Sequence, residues 1–183
     1  MFIESIILHN YRAYRGHNKT SFKPDIKNIF LVAGNNGFGK TTFLTSLVWC
    51  LYGKLMADVD DKFRRDINDA QGYKNYARQS LHKELANAVN AYEVSLEERK
   101  QIVKHGYSSE NEYIKEDSQY YVEIGLTDVF IPSIPCRTIT IRRTYDYFLD
   151  IESVEVLIDG QANELGKHSI FRHDNFIGCF SAD

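Results

Sequence analysis

Apolar residues recur along the chain with two periods, and the changes of period mark the elements. Residues 1–10, MFIESIILHN, are β-branched and apolar and predict a strand. YRAYRGHNKTSF is a polar turn followed by a short return. NIFLVAG is an unbroken apolar run ending at Gly34, the pattern of a strand buried on both faces. From Thr41 to Tyr52, Phe43, Leu44, Leu47, Val48 and Leu51 share one face of a helix, which Gly53 stops.

KLMADVDDKFRRDINDAQGY is charged and turn-rich and reads as a loop with one short helix. From Lys74 to about Lys104 the period turns helical again. Leu81, Leu85, Val89, Tyr92, Leu96 and Val103 recur mostly three to four residues apart, with no Gly or Pro between. That stripe is either a core face or the start of a helical arm. HGYSSENEYIKEDS is an acidic loop. QYYVEIGLTDVF, RTITIRRTYDY and SVEVLIDG predict three strands, with Pro132 and Pro135 between the first two. The last stretch, IFRHDNFIGCFSAD, follows neither period. No internal repeat, low-complexity tract or second domain stands out.

Composition narrows the class. The 183 residues suffice for one domain with a core, and 43% hydrophobic with 26% charged residues is ordinary globular usage. A formal net charge of −3 is not the profile of a standalone duplex-DNA binder. Cys50, Cys136 and Cys179 are too far apart for a zinc site or a disulfide framework, which favours a reducing cytoplasm. No leader-like segment and no long apolar span is present, so no membrane association is expected.

The chemistry is concentrated between Gly34 and Thr41. GNNGFGKT satisfies G-x-x-x-x-G-K-[ST]. Glycines allow positive φ and close approach of the backbone to a ligand, and successive N–H groups can then form an anion nest. The helix that follows adds its N-terminal N–H groups and positive dipole end. Lys40 suits β- and γ-phosphate oxygens, and the Thr41 hydroxyl suits Mg²⁺, which takes few protein ligands. Phosphate binding is therefore expected from Gly34, Asn35, Asn36, Gly37, Phe38, Gly39, Lys40, Thr41 and Thr42. Lys40 is the candidate catalytic group and Thr41 the candidate metal ligand.

Other candidates carry less. Arg12 and Arg15 flank the first turn, with His17, Lys19, Lys23 and Lys27 nearby, a group able to contact phosphate or simply to be solvated. Arg142 and Arg143 are neighbours in a strand and face opposite ways, so an exposed ladder charge is the expected role. His168 and His173 have no ligand-spaced partners. No nucleophile elbow is present.

Taken together, IILHNYRAYRG and FLVAGNNGFGKTTFLTSLVWCLYG resemble the N-terminus of SMC-type and RecF-like ABC ATPases. That group includes the coiled-coil ATPase of the double-strand-break repair nuclease complex and DndD of DNA phosphorothioation. The matching residues are Asn10-Tyr11-Arg12, Gly34 to Thr42, and Leu51-Tyr52-Gly53, and YYVEIGLTD and TITIRRTYDY resemble later strands of the family. The layout of residues 54–118 is closest to DndD-type proteins.

The resemblance implies an α/β fold of the P-loop NTPase class: an ABC-type N-terminal lobe with an antiparallel β-region packed against the P-loop strand and helix. It divides residues 1–183 into a hairpin, P-loop and first helix (1–53), a loop and long helix (54–118), and β-strands (119–183). Arg12 would approach the nucleotide, ATP with Mg²⁺. Partners would be a second head, forming a homodimer, DNA in the complete assembly, and a nuclease or other system subunits. DNA repair, DNA modification and phage defence are the roles implied, in the cytoplasm.

The pattern departs from the family in one way. No Ser-Gly-Gly-type signature and no apolar run ending in Asp-Glu occurs, and Gln161 follows the LIDG turn too closely for a glutamine loop. The coiled coil and C-terminal lobe are thus expected to be absent, with little turnover by these residues alone. Two rival readings remain: a nucleotide-gated protein-interaction module without turnover, and an unrelated P-loop NTPase. Absence of an Asn-Lys-x-Asp string counts against a GTPase.

Overall fold

The computed structural model describes residues 1–23, 29–88, 90, 118–129 and 137–162. Among them, the strands build one antiparallel sheet, with strict alternation of buried and less buried residues in Thr138–Asp146. β1 (Phe2–Tyr11) and β2 (Tyr14–Ser21) form a hairpin. β3 (Gln119–Thr127), β4 (Thr138–Asp146), β5 (Ile151–Ile158) and the short β6 (Gln161–Ala162) follow. The order is β2-β1-β3-β4-β5-β6, so β3 pairs with β1 across a long stretch of chain.

Register aligns the apolar positions in rows. Ile6, Ile124, Ile141 and Val156 make one row. Leu8, Val122, Arg143 and Val154 make the next, so an arginine lies in line with three aliphatic residues. Against this face packs α1 (Lys40–Tyr52), through buried Trp49 and Cys50. The Cys50 Sγ–H donates to the Val122 carbonyl at 3.3 Å, and burial pushes its thiol pKa up to about 12.

Residues 54–73, read from sequence as mostly loop, are largely helical. A 3-10 turn (Gly53–Leu55) leads into α2 (Met56–Val59) and α3 (Asp61–Asp69). Asp60 caps α3 by accepting from the Lys62 N–H at 2.7 Å, a local signal that the charged composition masks.

The long helix expected from Lys74 is interrupted. α4 (Tyr73–Arg78) ends in a turn, and helix resumes over 83–88. Between them Leu81 bridges to Tyr11, and the His82 N–H donates to the Asn10 carbonyl at 2.8 Å. Burial of Leu81 together with these bonds to the β1–β2 turn outweighs helical continuity. The positions Val89, Tyr92, Leu96 and Val103 lie outside the residues described with side chains. So do Lys27, the acidic loop, His168, His173, Cys136 and Cys179.

One sequence expectation fails outright. The apolar run before the phosphate loop is not a buried strand: residues 29–35 join no ladder, and Ile29 and Leu31 are 88% and 90% exposed. Among the described residues the antiparallel sheet therefore packs on the P-loop helix and on α2 to α4, not on a P-loop strand. A strand buried on both faces needs paired neighbours and a layer on each side. No described strand pairs with this run, so its hydrophobicity is unsatisfied. Only Phe30 finds a ring contact, with Phe22 at 4.7 Å between centroids. No described helix is long and apolar enough to cross a membrane.

Candidate phosphate-binding site

The loop 34–39 opens directly into α1. Gly37 and Gly39 have φ of 86° and 83°, a region where a side chain is strained, so both glycines are required by the backbone. Gly39 is the N-cap residue of α1, and no side chain caps the helix. Its first turn also holds no acidic residue. The first helical bond runs from the Phe43 N–H to the Gly39 carbonyl at 2.8 Å. The N–H groups of Lys40, Thr41 and Thr42 thus precede the helical ladder and have no partner within it. Positive helix-end potential and unpaired donors together make an anion site.

Lys40 spans this loop. Its Nζ donates to the carbonyls of Gly34 at 2.6 Å and Asn35 at 2.7 Å, tying the lysine of the motif to its first two residues. Phosphate oxygens can replace those neutral acceptors and make stronger, charge-assisted bonds. Asn35, Asn36, Phe38 and Thr41 are exposed, Phe38 to 74%, and Thr42 is half-buried. Among the described residues no group of three or more His, Cys, Asp or Glu is placed to hold a metal. The donor set fits Mg²⁺ held mainly by phosphate and water, with the Thr41 hydroxyl as a protein ligand.

Arg12 is held elsewhere. Its N–H donates to the Ser80 carbonyl at 2.8 Å and its Nε to Ser80 Oγ at 3.2 Å. Its guanidinium lies over the Tyr76 ring, 4.8 Å from the centroid. Arg12 thus joins the β1–β2 turn to α4. Two residues on, the Tyr14 hydroxyl donates to the Gly39 carbonyl at 3.3 Å, so the same turn reaches the phosphate loop.

The far end of α1 is also fixed. Arg143 is buried, contrary to the exposed ladder charge expected, and its Nε donates to the Cys50 carbonyl at 2.9 Å. It pairs with Glu152, which also accepts from the Tyr73 hydroxyl. Trp49 Nε1 donates to that hydroxyl at 3.0 Å. The Tyr73 pKa is raised, first by burial and then by Glu152. Gly53, with φ 53°, leaves room for this cluster: a Cβ there would lie 2.7 Å from Arg143 Cζ and from Glu152 Oε1. Arg142, on the other face, pairs with Glu123 at 2.6 Å.

Sequence reasoning missed Tyr14 and the role of Arg143. Alternation in TITIRRTYDY does place Arg143 with Ile139, Ile141 and Tyr145, which was a usable signal. Nothing local distinguishes Tyr14 from the other tyrosines.

A family model described as an AAA domain matches residues 5–159. No curated protein sequence matches. Among solved structures the chain is similar to one from work on the structural biochemistry of ATP-driven dimerization and DNA-stimulated activation of SMC ATPases. That likeness has a TM-score of 0.54 at 14% identity and covers 100% of this chain and 81% of the other. At that identity it is a likeness of fold.

Proposed function

The chain belongs to the AAA-domain family, and from that premise we propose that it is the ATP-binding lobe of an SMC-like, DNA-associated ATPase. The observation that carries this reading is the phosphate loop. It combines two left-handed glycines, a helix start that no side chain caps, and the Lys40 ammonium held against the Gly34 and Asn35 carbonyls. Backbone N–H groups and Lys40 would hold the β- and γ-phosphates, and Arg12 would add a further cation from the adjoining turn only by exchanging its Ser80 and Tyr76 contacts for phosphate. Bound Mg²⁺ would neutralise phosphate charge, with Thr41 as its protein ligand.

The exposed run from Ile29 to Val32 supports reading the chain as one lobe of a larger head. Such a lobe would be completed by further strands, and would meet a second head across the nucleotide. DNA, and a nuclease or other system subunit, would then be moved by the cycle of nucleotide binding and hydrolysis. DNA repair, DNA phosphorothioation of the DndD type and phage defence are the settings this reading places it in. These residues hold no apolar run ending in Asp-Glu to position water, so we expect binding without appreciable turnover by this chain alone.

Calorimetry tests the reading. Mg-ATP binds the wild-type chain, and Lys40→Ala or Thr41→Ala abolishes binding with the thermal midpoint unchanged. Unaltered binding in both variants rejects the phosphate-loop assignment.

A further inference from the structure

The contact between Tyr14 and Gly39 bears on how the phosphate loop is held. The Gly39 carbonyl accepts twice, from the Phe43 N–H at 2.8 Å and from the Tyr14 hydroxyl at 3.3 Å. The Gly39–Lys40 peptide is trans, as are all peptides among the described residues, so the Lys40 N–H points opposite to that carbonyl across the same planar unit. Fixing the carbonyl toward Tyr14 and the helix therefore aims the Lys40 N–H into the loop. The Tyr14 ring also fills the space beside Gly39: a Cβ at that position would meet ring atoms at 3.2 and 3.3 Å.

Tyr14 is itself fixed from behind. The turn before it is tied to the segment after α4 by Arg12 N–H to Ser80 O at 2.8 Å and by the Tyr11–Leu81 bridge. Within the turn, the Asn10 side chain accepts from the Gly16 N–H at 2.8 Å. These bonds anchor the chain on both sides of Tyr14.

We infer that Tyr14 is the positioning residue of the phosphate loop, orienting the Gly39–Lys40 peptide so that its N–H faces the phosphate before ligand arrives. This rests on the phosphate-binding reading above. Pre-orientation lowers the ordering cost of binding, so its loss weakens affinity without removing any contact to the ligand. The Tyr14 phenol is protonated and a hydrogen-bond donor at neutral pH, and burial raises its pKa further above that range.

The test uses Tyr14→Phe and Tyr14→Ala in the full chain, with tripolyphosphate and Mg-ATP as separate probes in calorimetry. Loss of one hydrogen bond predicts about fivefold weaker binding of both probes in Tyr14→Phe. The Lys40 amide resonance shifts in the free protein, and the thermal midpoint stays within about two degrees. Tyr14→Ala weakens both probes further, by at least about tenfold. Equal affinity of Tyr14→Phe and wild type, with Lys40→Ala inactive, overturns the role of Tyr14 and leaves the phosphate site standing. Normal binding by Lys40→Ala overturns both. A fall in midpoint with the Lys40 resonance unmoved makes Tyr14 a packing residue only and also overturns the inference.

Discussion

Arg143 closes the C-terminal end of the helix that leaves the phosphate loop, its Nε donating to the Cys50 carbonyl at 2.9 Å. A helix leaves its last carbonyls without partners, and a cation there also opposes the negative dipole end. Burial makes the arrangement exacting. The guanidinium is compensated by Glu152, which the Tyr73 hydroxyl also bonds.

Arg143→Met is expected to cost about 3 kcal/mol, because it leaves the partly buried Glu152 carboxylate without its cation and the Cys50 carbonyl without its donor. Urea unfolding measures it. The double variant Arg143→Met/Glu152→Leu is expected to recover part of the loss, since no buried charge is then left unpaired. A single variant as stable as wild type contradicts the capping role.

Asp150 gives a pH dependence. It sits at φ 53° after β4 and accepts from Lys74 at 2.7 Å, Arg78 at 2.8 Å and the Tyr145 hydroxyl at 2.8 Å. Burial raises its pKa, but these bonds outweigh that and bring it down to about 2. A depressed carboxylate stabilises the fold above its unfolded pKa of about 3.9, and that stability is lost as pH falls toward 2. The side chain is partly solvated, so the contribution is on the order of 1 kcal/mol. Asp150→Asn is expected to lower the midpoint at pH 7 and to flatten its change between pH 4 and about 2.

Cys50 is expected to be inert while the protein is folded. Its thiol is fully buried and its pKa is pushed up to about 12, so little thiolate forms at pH 8. In a Cys136→Ser/Cys179→Ser background, a disulfide reagent should react only at the rate of unfolding, and promptly in denaturant.

Leu31 tests the meaning of the exposed run. At 90% exposure it contributes little to the folded core, so Leu31→Lys is expected to shift stability by less than about 0.5 kcal/mol. The same change should reduce concentration-dependent association, read by light scattering, because it breaks an apolar patch. A large loss of stability would mean that the run is packed in solution.

Several elements were legible locally. The extent of α1 and its stop at Gly53 were readable, but the helix buries Thr45, Ser46, Trp49 and Cys50, while Leu44 of the expected apolar face is 57% exposed. Asp60 capping α3 was also readable but was hidden by the charge of its surroundings. The break at Ser80 to His82 was not readable. Periodicity reports which residues want burial, not which backbone groups find partners outside their own helix. Arg143 shows the same limit from the other side: its inward position could be counted, but its partners come from α1 and β5.

By itself the amino-acid sequence determined the glycine-rich turn and the helix that leaves it, because glycine conformation, helix start and lysine reach are properties of adjacent residues. Alternation also sorts strand positions onto two faces, but it did not say which face is covered: Arg143, expected exposed, is buried. Only the tertiary structure decided that Tyr14 meets Gly39 and that Arg143 meets Cys50. It likewise left Ile29 and Leu31 in solvent. Those outcomes depend on which distant segments are brought together, and the energy of a buried charge or an apolar run is set by that company.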